Sequence, residues 1–283
     1  MNTITLFSQV SQKCSRVVTE SYSTSFSSAI NLLHPSMRTP VYAIYGFVRL
    51  ADEIVDTFHD HEKELLLSEF KEHTFQAIDR KISLNPILQA FQQTVNTYMI
   101  SEELITAFFR SMEMDLEKTI YKTADELREY IYGSAEVVGL MCLYVFCNGN
   151  HAQYEQLKHT AQALGAAFQK VNFLRDLKAD IQGLNRAYFP DFDLANFNAT
   201  TKSVIEADIA ADFKMAREGI RLLPSQAKFG VFVAYKYYLS LFNKIKRLDS
   251  TVIMEKRVRI PNFNKVMIVL IASVENKMNV LID

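Results

Sequence analysis

The sequence predicts an all-α chain, a single bundle of roughly ten helices. Three observations carry that expectation. Only eight glycines and six prolines punctuate 283 residues, which favours long helices. Apolar residues recur at helical spacing along most of the chain, and no stretch shows a strong strand pattern. There is no internal repeat and no low-complexity tract. The chain is 49% hydrophobic, enough to bury a substantial core, and we read it as one domain, 1–283.

Taken in order, residues 3–21 read as a first helix with Ile4, Phe7, Val10, Cys14 and Val17 on its apolar side. Residues 21–33 follow, SYSTSFSSAINLL, whose hydroxyls suit helix caps or a phosphate. Pro35 and Pro40 punctuate before a helix over 41–58. HDHEKE at 59–64 reads as a charged helix end; His59 and His61 there are poor metal candidates. Amphipathic helices are expected over 62–82 and 84–98, with Asn85-Pro86 as a helix start. Another opens at Ser101-Glu102-Glu103 and runs to about Lys118; its MEMDLEK reads as a solvated or salt-bridged stripe.

The helix over 124–147 is almost wholly apolar in its second half and should be central. Gly133, Ser134, Ala135 and Gly139 leave one of its sides with little bulk, which allows close packing or room for a long ligand. Tyr130, Tyr132 and Glu136 are its polar handles, and Asn148-Gly149-Asn150 ends it. A helix over about 151–182 follows, then a loop over 183–201. Helices return over 202–222 and 224–249. The last segment, 255–283, places Lys256, Arg257 and Arg259 before an apolar run. That pattern suits a docked helix or contact with an anionic membrane surface.

Net charge is −1 and pI about 6.6, so the basic excess of a nucleic-acid-binding protein is missing and no nucleic-acid partner is expected. Cys14, Cys142 and Cys147 form no CxxC pair or zinc set and read as reduced thiols of a cytoplasmic protein. No secretory signal is read at the N-terminus. No run reaches about 18 uncharged apolar residues, so no spanning helix is expected. Neither phosphate-binding glycine motif occurs.

Two helices carry the chemistry. On the helix over 41–58, Tyr45, Arg49, Asp52 and Asp56 fall at i, i+4, i+7 and i+11. On the helix over 151–182, Gln169, Asn172, Asp176 and Asp180 fall at i, i+3, i+7 and i+11. Each set forms one stripe of a 3.6-residue helix. Spacing alone is weak: 32 acidic residues in 283 give about 3–4 acidic i,i+4 pairs by chance. The apolar flanks and the in-line Arg, Asn and Gln weigh against a merely solvated face. A polar group in such a setting is destabilised by about 1–3 kcal/mol unless it finds a partner. A bound cation would offset that and the carboxylate repulsion. Mg²⁺ suits oxygen ligands and is commonly shared between carboxylates and phosphates. Arg49 and Arg175 add fixed positive charge. With an apolar cavity, this set suits metal-assisted departure of diphosphate from an allylic lipid. A di-iron carboxylate bundle would need Glu-x-x-His, which is absent.

At these residues the chain resembles the squalene/phytoene synthase family, over about 15–250. YAIYGFVRLADEIVD looks like the family's first aspartate-rich motif and QKVNFLRDLKADIQGLNRAYFP like its second. YIYGSAEVVGLM resembles its central Tyr/Gly helix, which implies that Tyr132 and Gly139 stand at the cavity. The resemblance implies an all-α isoprenoid synthase bundle around a central apolar cavity. It also implies head-to-head joining of two prenyl diphosphates through a cyclopropyl intermediate. The expected catalytic set is Asp52, Asp56, Asp176, Asp180 and Tyr45, the four aspartates also holding Mg²⁺, with Mn²⁺ as a substitute. Arg49, Tyr132, Gly139, Gln169, Asn172 and Arg175 are the expected substrate-binding set. The flanking words VYAIYGF and GLMC look most like bacterial phytoene synthases, so geranylgeranyl diphosphate is the expected substrate, without NADPH. A C30 product from farnesyl diphosphate is the alternative. A non-catalytic scaffold would be free to lose carboxylates, and this chain has lost none. One departure is Thr24, which stands before Ser25-Phe26 where family members often carry a basic residue; Tyr22 and the hydroxyls would then complete the phosphate grip. Peripheral contact with the inner membrane face fits so apolar a substrate.

Overall fold

The computed structural model describes residues 3–183, 188–189, 197–255 and 257–277. Among them are thirteen α-helices, one π turn and no strand. The first half of the chain supplies α1 (Thr3–Tyr22), α2 (Thr24–Ile30), α3 (Pro35–Asp56), α4 (Lys63–Arg80), α5 (Pro86–Tyr98) and α6 (Glu102–Glu117). Next come α7 (Ala124–Ile131), the π turn (Tyr132–Glu136) and α8 (Val137–Cys147). The second half supplies α9 (His151–Gly183), α10 (Ala199–Leu222), α11 (Ser225–Lys246), α12 (Ser250–Glu255) and α13 (Asn262–Lys277). The all-α expectation holds. The count exceeds ten because α2 and α12 are short separate helices and a π turn divides the central one. The expected loop over 183–201 lies mostly outside the described residues.

Several expected signals act as read. Ser23 caps α2, its Oγ accepting from the Phe26 N–H at 3.2 Å. Asn85 caps α5 with Pro86 in the first turn. Asn148 and Gly149 turn the chain after α8 with φ of 46° and 84°. His59 stays on the surface, its Nδ1 3.2 Å from Lys63 Nζ, as a charged helix end should.

Three local expectations differ. Pro40 lies inside α3, which starts at Pro35 behind a His34 cap. The carbonyl that Pro40 leaves without an amide belongs to exposed Ser36, where water can satisfy it. MEMDLEK is only half solvated. Glu113 pairs with Lys71 at 2.7 Å, but Met114 is buried and Asp115 accepts from the Tyr130 hydroxyl at 3.0 Å. By length and composition one helix does qualify as a membrane span, Ala124–Cys147, with mean hydropathy 1.5 in its best window. That window is 56% buried within the protein, and the helix packs on α3, α6 and α9, so its apolarity is that of a core helix.

The longest helix, α9, touches α7, the π turn, α8, α10, α11 and α12. Its tight crossing with the π turn depends on Gly165, where a Cβ would stand 2.8 Å from the Ala135 carbonyl oxygen. On the other side of the π turn, a Cβ on Gly133 would stand 2.5 Å from the Ala107 oxygen of α6. The extra residue of a π turn is thus wedged between two helices by glycines on both sides. Behind α3, Phe47 is fully buried and stacks on Phe91 at 3.8 Å, within ring contact of Phe70, Phe108 and Phe109. That packing fixes the rotation of α3 and turns Tyr45, Arg49 and Asp52 the other way.

Candidate active site

A cavity of about 470 Å³ runs between α2, α3, α8, α9, α10 and α11. Its walls are apolar or small, among them Phe26, Ile44, Val138, Leu164, Phe168 and Val231. Its lining on α9 extends from Leu157 to Arg175, about 27 Å at 1.5 Å per residue. One end is polar, formed by Tyr22, Ser23, Tyr45, Arg49, Asp52, Gln169, Asn172, Arg175, Tyr238 and Arg257. The structure therefore brings seven of the expected site residues onto one cavity: Tyr45, Arg49, Asp52, Gly139, Gln169, Asn172 and Arg175.

The α9 stripe is ordered by a relay of amides. Gln169 Nε2 donates to Ser134 Oγ at 3.2 Å, Asn172 Nδ2 donates to Gln169 Oε1 at 3.3 Å, and the Tyr238 hydroxyl donates to Asn172 Oδ1 at 3.3 Å. The Tyr238 ring stacks on Phe168 at 3.9 Å and lies 5.7 Å from Phe26. These contacts lock the polar groups over the apolar walls, so little ordering remains when a ligand enters.

On the α3 side, Arg49 pairs with Glu53 and lies over the Tyr22 ring, 4.3 Å from its centroid. Burial pushes the Asp52 carboxyl up to about 8, helped by the charges of Asp56 and Asp115 and opposed by Arg49. Asp52 keeps some accessible surface because it faces the cavity. Burial also pushes the Tyr45 phenol up to about 12, so it stays a proton donor at neutral pH. The Cys142 thiol lines the cavity and is likewise pushed up to about 12 by burial, so it behaves as an apolar wall atom. The described cysteines are unbridged.

The other expected residues stand apart from the lining. Asp56 sits one turn beyond Asp52. Asp176 lies beside the polar end, held by Arg175, whose Nε reaches Oδ1 at 3.0 Å, and by Arg257, whose Nε reaches Oδ1 at 2.6 Å. Asp180 is one turn further along α9, and its side chain falls outside the described residues. Tyr132, expected at the cavity, is not in its lining. It opens the π turn, half-buried, while Ser134 and Ala135 take the wall. Widening the turn by one residue shifts which side chains face the cavity.

Sequence reasoning missed Arg257 as a site residue and read it only as part of a basic surface. It is 81 residues from Asp176, and no helical spacing links them. Tyr238 was missed for the same reason. Charge complementarity to an acidic stripe is the one signal that could have suggested Arg257.

Among the described residues, no three His, Cys, Asp or Glu side chains lie close enough together to hold a metal. The donor chemistry nonetheless fits a hard divalent cation. Asp52 carries a carboxyl whose ionisation is opposed by burial and by Asp56, and Asp176 draws two guanidinium groups. A cation would favour the ionised form of the Asp52 carboxyl and would share Asp176 with those two guanidinium groups, and all the donors are oxygens. With Asp56, these are the described side chains that would hold such an ion.

Comparison with known proteins agrees with this geometry. The squalene/phytoene synthase family model matches residues 19–264. The chain is 27% identical to the phytoene synthase of Arthrospira platensis over 277 residues, 89% of each protein. It is 26% identical to the chloroplastic phytoene synthase 1 of Solanum lycopersicum, across 86% of this chain and 63% of that one. Its fold superposes on a dehydrosqualene synthase crystallised with a ligand, with a TM-score of 0.80 at 20% identity, across 96% of this chain and 98% of that one. The order of the two acidic stripes, the cavity between them and the match over most of the chain make this protein a member of the squalene/phytoene synthase family.

Proposed function

We propose that the cavity takes two geranylgeranyl diphosphates and joins them head to head, through a cyclopropyl diphosphate, to phytoene. The observation that carries this reading is one apolar cavity with three arginines and Asp52 at a single end, and Asp176 beside that end between two of those arginines. The phytoene synthase relatives support the C40 product.

In this reading Arg49, Arg175 and Arg257 receive the diphosphates as charge-assisted donors. The Tyr45 hydroxyl donates to a phosphate oxygen. Gln169 and Asn172, held by Ser134 and Tyr238, position the reacting end of the chain. Asp52, Asp56, Asp176 and Asp180 would hold Mg²⁺, which when bound would supply positive charge for the departing diphosphate. The walls of Phe26, Val138, Leu164 and Phe168 exclude water from the allylic cation. Gly139 keeps a stretch of wall free of bulk. Carbon–carbon joining ends by proton loss, so NADPH has no part. The unbridged thiols suit a reducing cytoplasm.

The test is turnover of geranylgeranyl diphosphate with Mg²⁺, with Mn²⁺ and with chelator. Hydrocarbon should form with either ion and stop with chelator. Equal hydrocarbon in chelator would overturn the metal part of the reading.

A further inference from the structure

Among the described residues, nothing in the bundle covers one apolar face of α13. On α13, Phe263, Val266, Met267, Leu270, Ile271 and Val274 are each 42–74% exposed. At 3.6 residues per turn these six fall within an arc of about 140°. The opposite side is docked: Ala272 is buried, Lys236 of α11 pairs with Glu275 at 2.8 Å, and α13 packs along α11. Both charged side chains described on α13, Lys265 and Glu275, point away from the apolar arc. A contiguous face of this size marks an interaction surface.

Its position and its charge identify the occupant. Lys265 Nζ donates to Thr24 Oγ1 at 2.6 Å, and Thr24 adjoins Tyr22 and Ser23 at the polar end of the cavity. The N-terminal end of α13 thus stands beside the polar end of the cavity. Exposed Arg259 and Lys244 stand at the same end, the Lys244 ammonium donating to the Arg259 carbonyl at 2.7 Å. Among the described residues, neither Arg259 nor Lys244 has a carboxylate partner. The described part of α13 is sixteen residues, about 24 Å, and among the described residues only Ala124–Cys147 is long and apolar enough to cross a membrane. An apolar arc with exposed cations free of carboxylate partners at its N-terminal end is the pattern of a helix lying in a lipid interface.

We infer that α13 docks the protein on an anionic bilayer, apolar face down, with the cavity mouth at the lipid surface. On the proposed function, this lets a membrane-dissolved prenyl chain reach the cavity without crossing water. The inference rests on that reading only for the loading step; docking itself needs no substrate.

The experiment is sedimentation of the full chain with vesicles of phosphatidylcholine, alone or mixed with phosphatidylglycerol. Wild type should partition to the mixed vesicles and be released by salt. Val266→Glu with Leu270→Glu should weaken partition about a hundredfold or more, the scale set by two apolar side chains kept out of lipid. Arg259→Gln should lose part of the preference for mixed vesicles. Melting temperature, and turnover of substrate presented in detergent, should match wild type in each variant. Failure of wild type to partition, or unchanged partition of the double variant, would overturn the inference. So would light scattering that showed a wild-type dimer dispersed by the same two substitutions, because a second copy would then cover the face. Turnover in detergent reads the enzyme separately, so loss of docking and loss of the proposed activity are told apart.

Discussion

Gly165→Ala tests the crossing on which the site is built. A Cβ there would stand 2.8 Å from the Ala135 oxygen and 2.9 Å from the Glu136 Cα, both backbone atoms that cannot rotate away. Reaching ordinary contact requires α9 and the π turn to part by about 0.6 Å. Alanine is worth about 1 kcal/mol over glycine in a helix, whereas overpacking is destabilising by about 1–3 kcal/mol. The expected net loss is about 1 kcal/mol, read as a melting temperature about 2–4 °C lower. The functional effect is larger. Gln169 lies one turn after Gly165, and Asn172 and Arg175 follow on the same stripe. A displacement near 1 Å at a reacting centre can reduce rate about a hundredfold, so turnover should fall about tenfold or more. Gly139→Ala is the control. It lines the same cavity, but its Cβ would stand 3.3 Å from the Ala161 oxygen, about 0.1 Å short of ordinary contact, so it should lose clearly less stability and turnover than Gly165→Ala. Calorimetry and a steady-state assay on both variants decide the matter. A Gly165→Ala protein indistinguishable from Gly139→Ala would refute the account of the crossing.

Asp52→Asn and Asp176→Asn should each reduce turnover by orders of magnitude while the helical circular dichroism persists; wild-type activity in either would remove that aspartate from the proposed chemistry. Arg257→Gln should weaken binding of inorganic diphosphate with Mg²⁺ about ten- to a hundredfold, the value of a charge-assisted hydrogen bond; unchanged affinity in calorimetry would leave Arg257 as a partner of Asp176 alone. Glu136 gives a pH signature. Burial pushes its carboxyl from 4.5 up to about 7, against the Gln162 hydrogen bond and the Lys170 charge and with the Asp212 charge. Between those values the folded chain holds a proton that the unfolded chain has released, so stability falls as pH rises from about 4.5 to 7. The full shift corresponds to a ceiling of about 3 kcal/mol, which solvent at this half-buried group reduces to about 1 kcal/mol. Glu136→Gln should flatten that part of the melting-temperature profile; an unchanged slope would assign it to another group.

What was legible in the sequence is what a single helix determines. Tyr45, Arg49 and Asp52 share a face because α3 is regular, and the same holds for Gln169, Asn172 and Arg175 on α9. Spacing alone predicts both. The caps at Ser23 and Asn85 are likewise local, each acting within three residues. What was not legible depends on contacts between distant elements. The π turn exists because Gly133 and Gly165 let α6 and α9 press on it from two sides, and it decides that Ser134, not Tyr132, faces the cavity. Asp115 read as a surface charge because its partner, Tyr130, belongs to another helix. Arg257 completes the polar end from the far end of the chain, and its role shows only when Asp176 stands beside it. The exposed arc of α13 is legible as an apolar period, but not which side of it the bundle leaves open.

The most direct test of the central claim is the identity of the hydrocarbon. Purified protein with Mg²⁺ is given geranylgeranyl or farnesyl diphosphate, each with and without NADPH, and the extract is analysed by mass spectrometry. The account predicts phytoene from geranylgeranyl diphosphate, in equal yield with and without NADPH. A C30 hydrocarbon from farnesyl diphosphate, with none from the longer substrate, would contradict the C40 assignment. No hydrocarbon from either would contradict the catalytic reading itself.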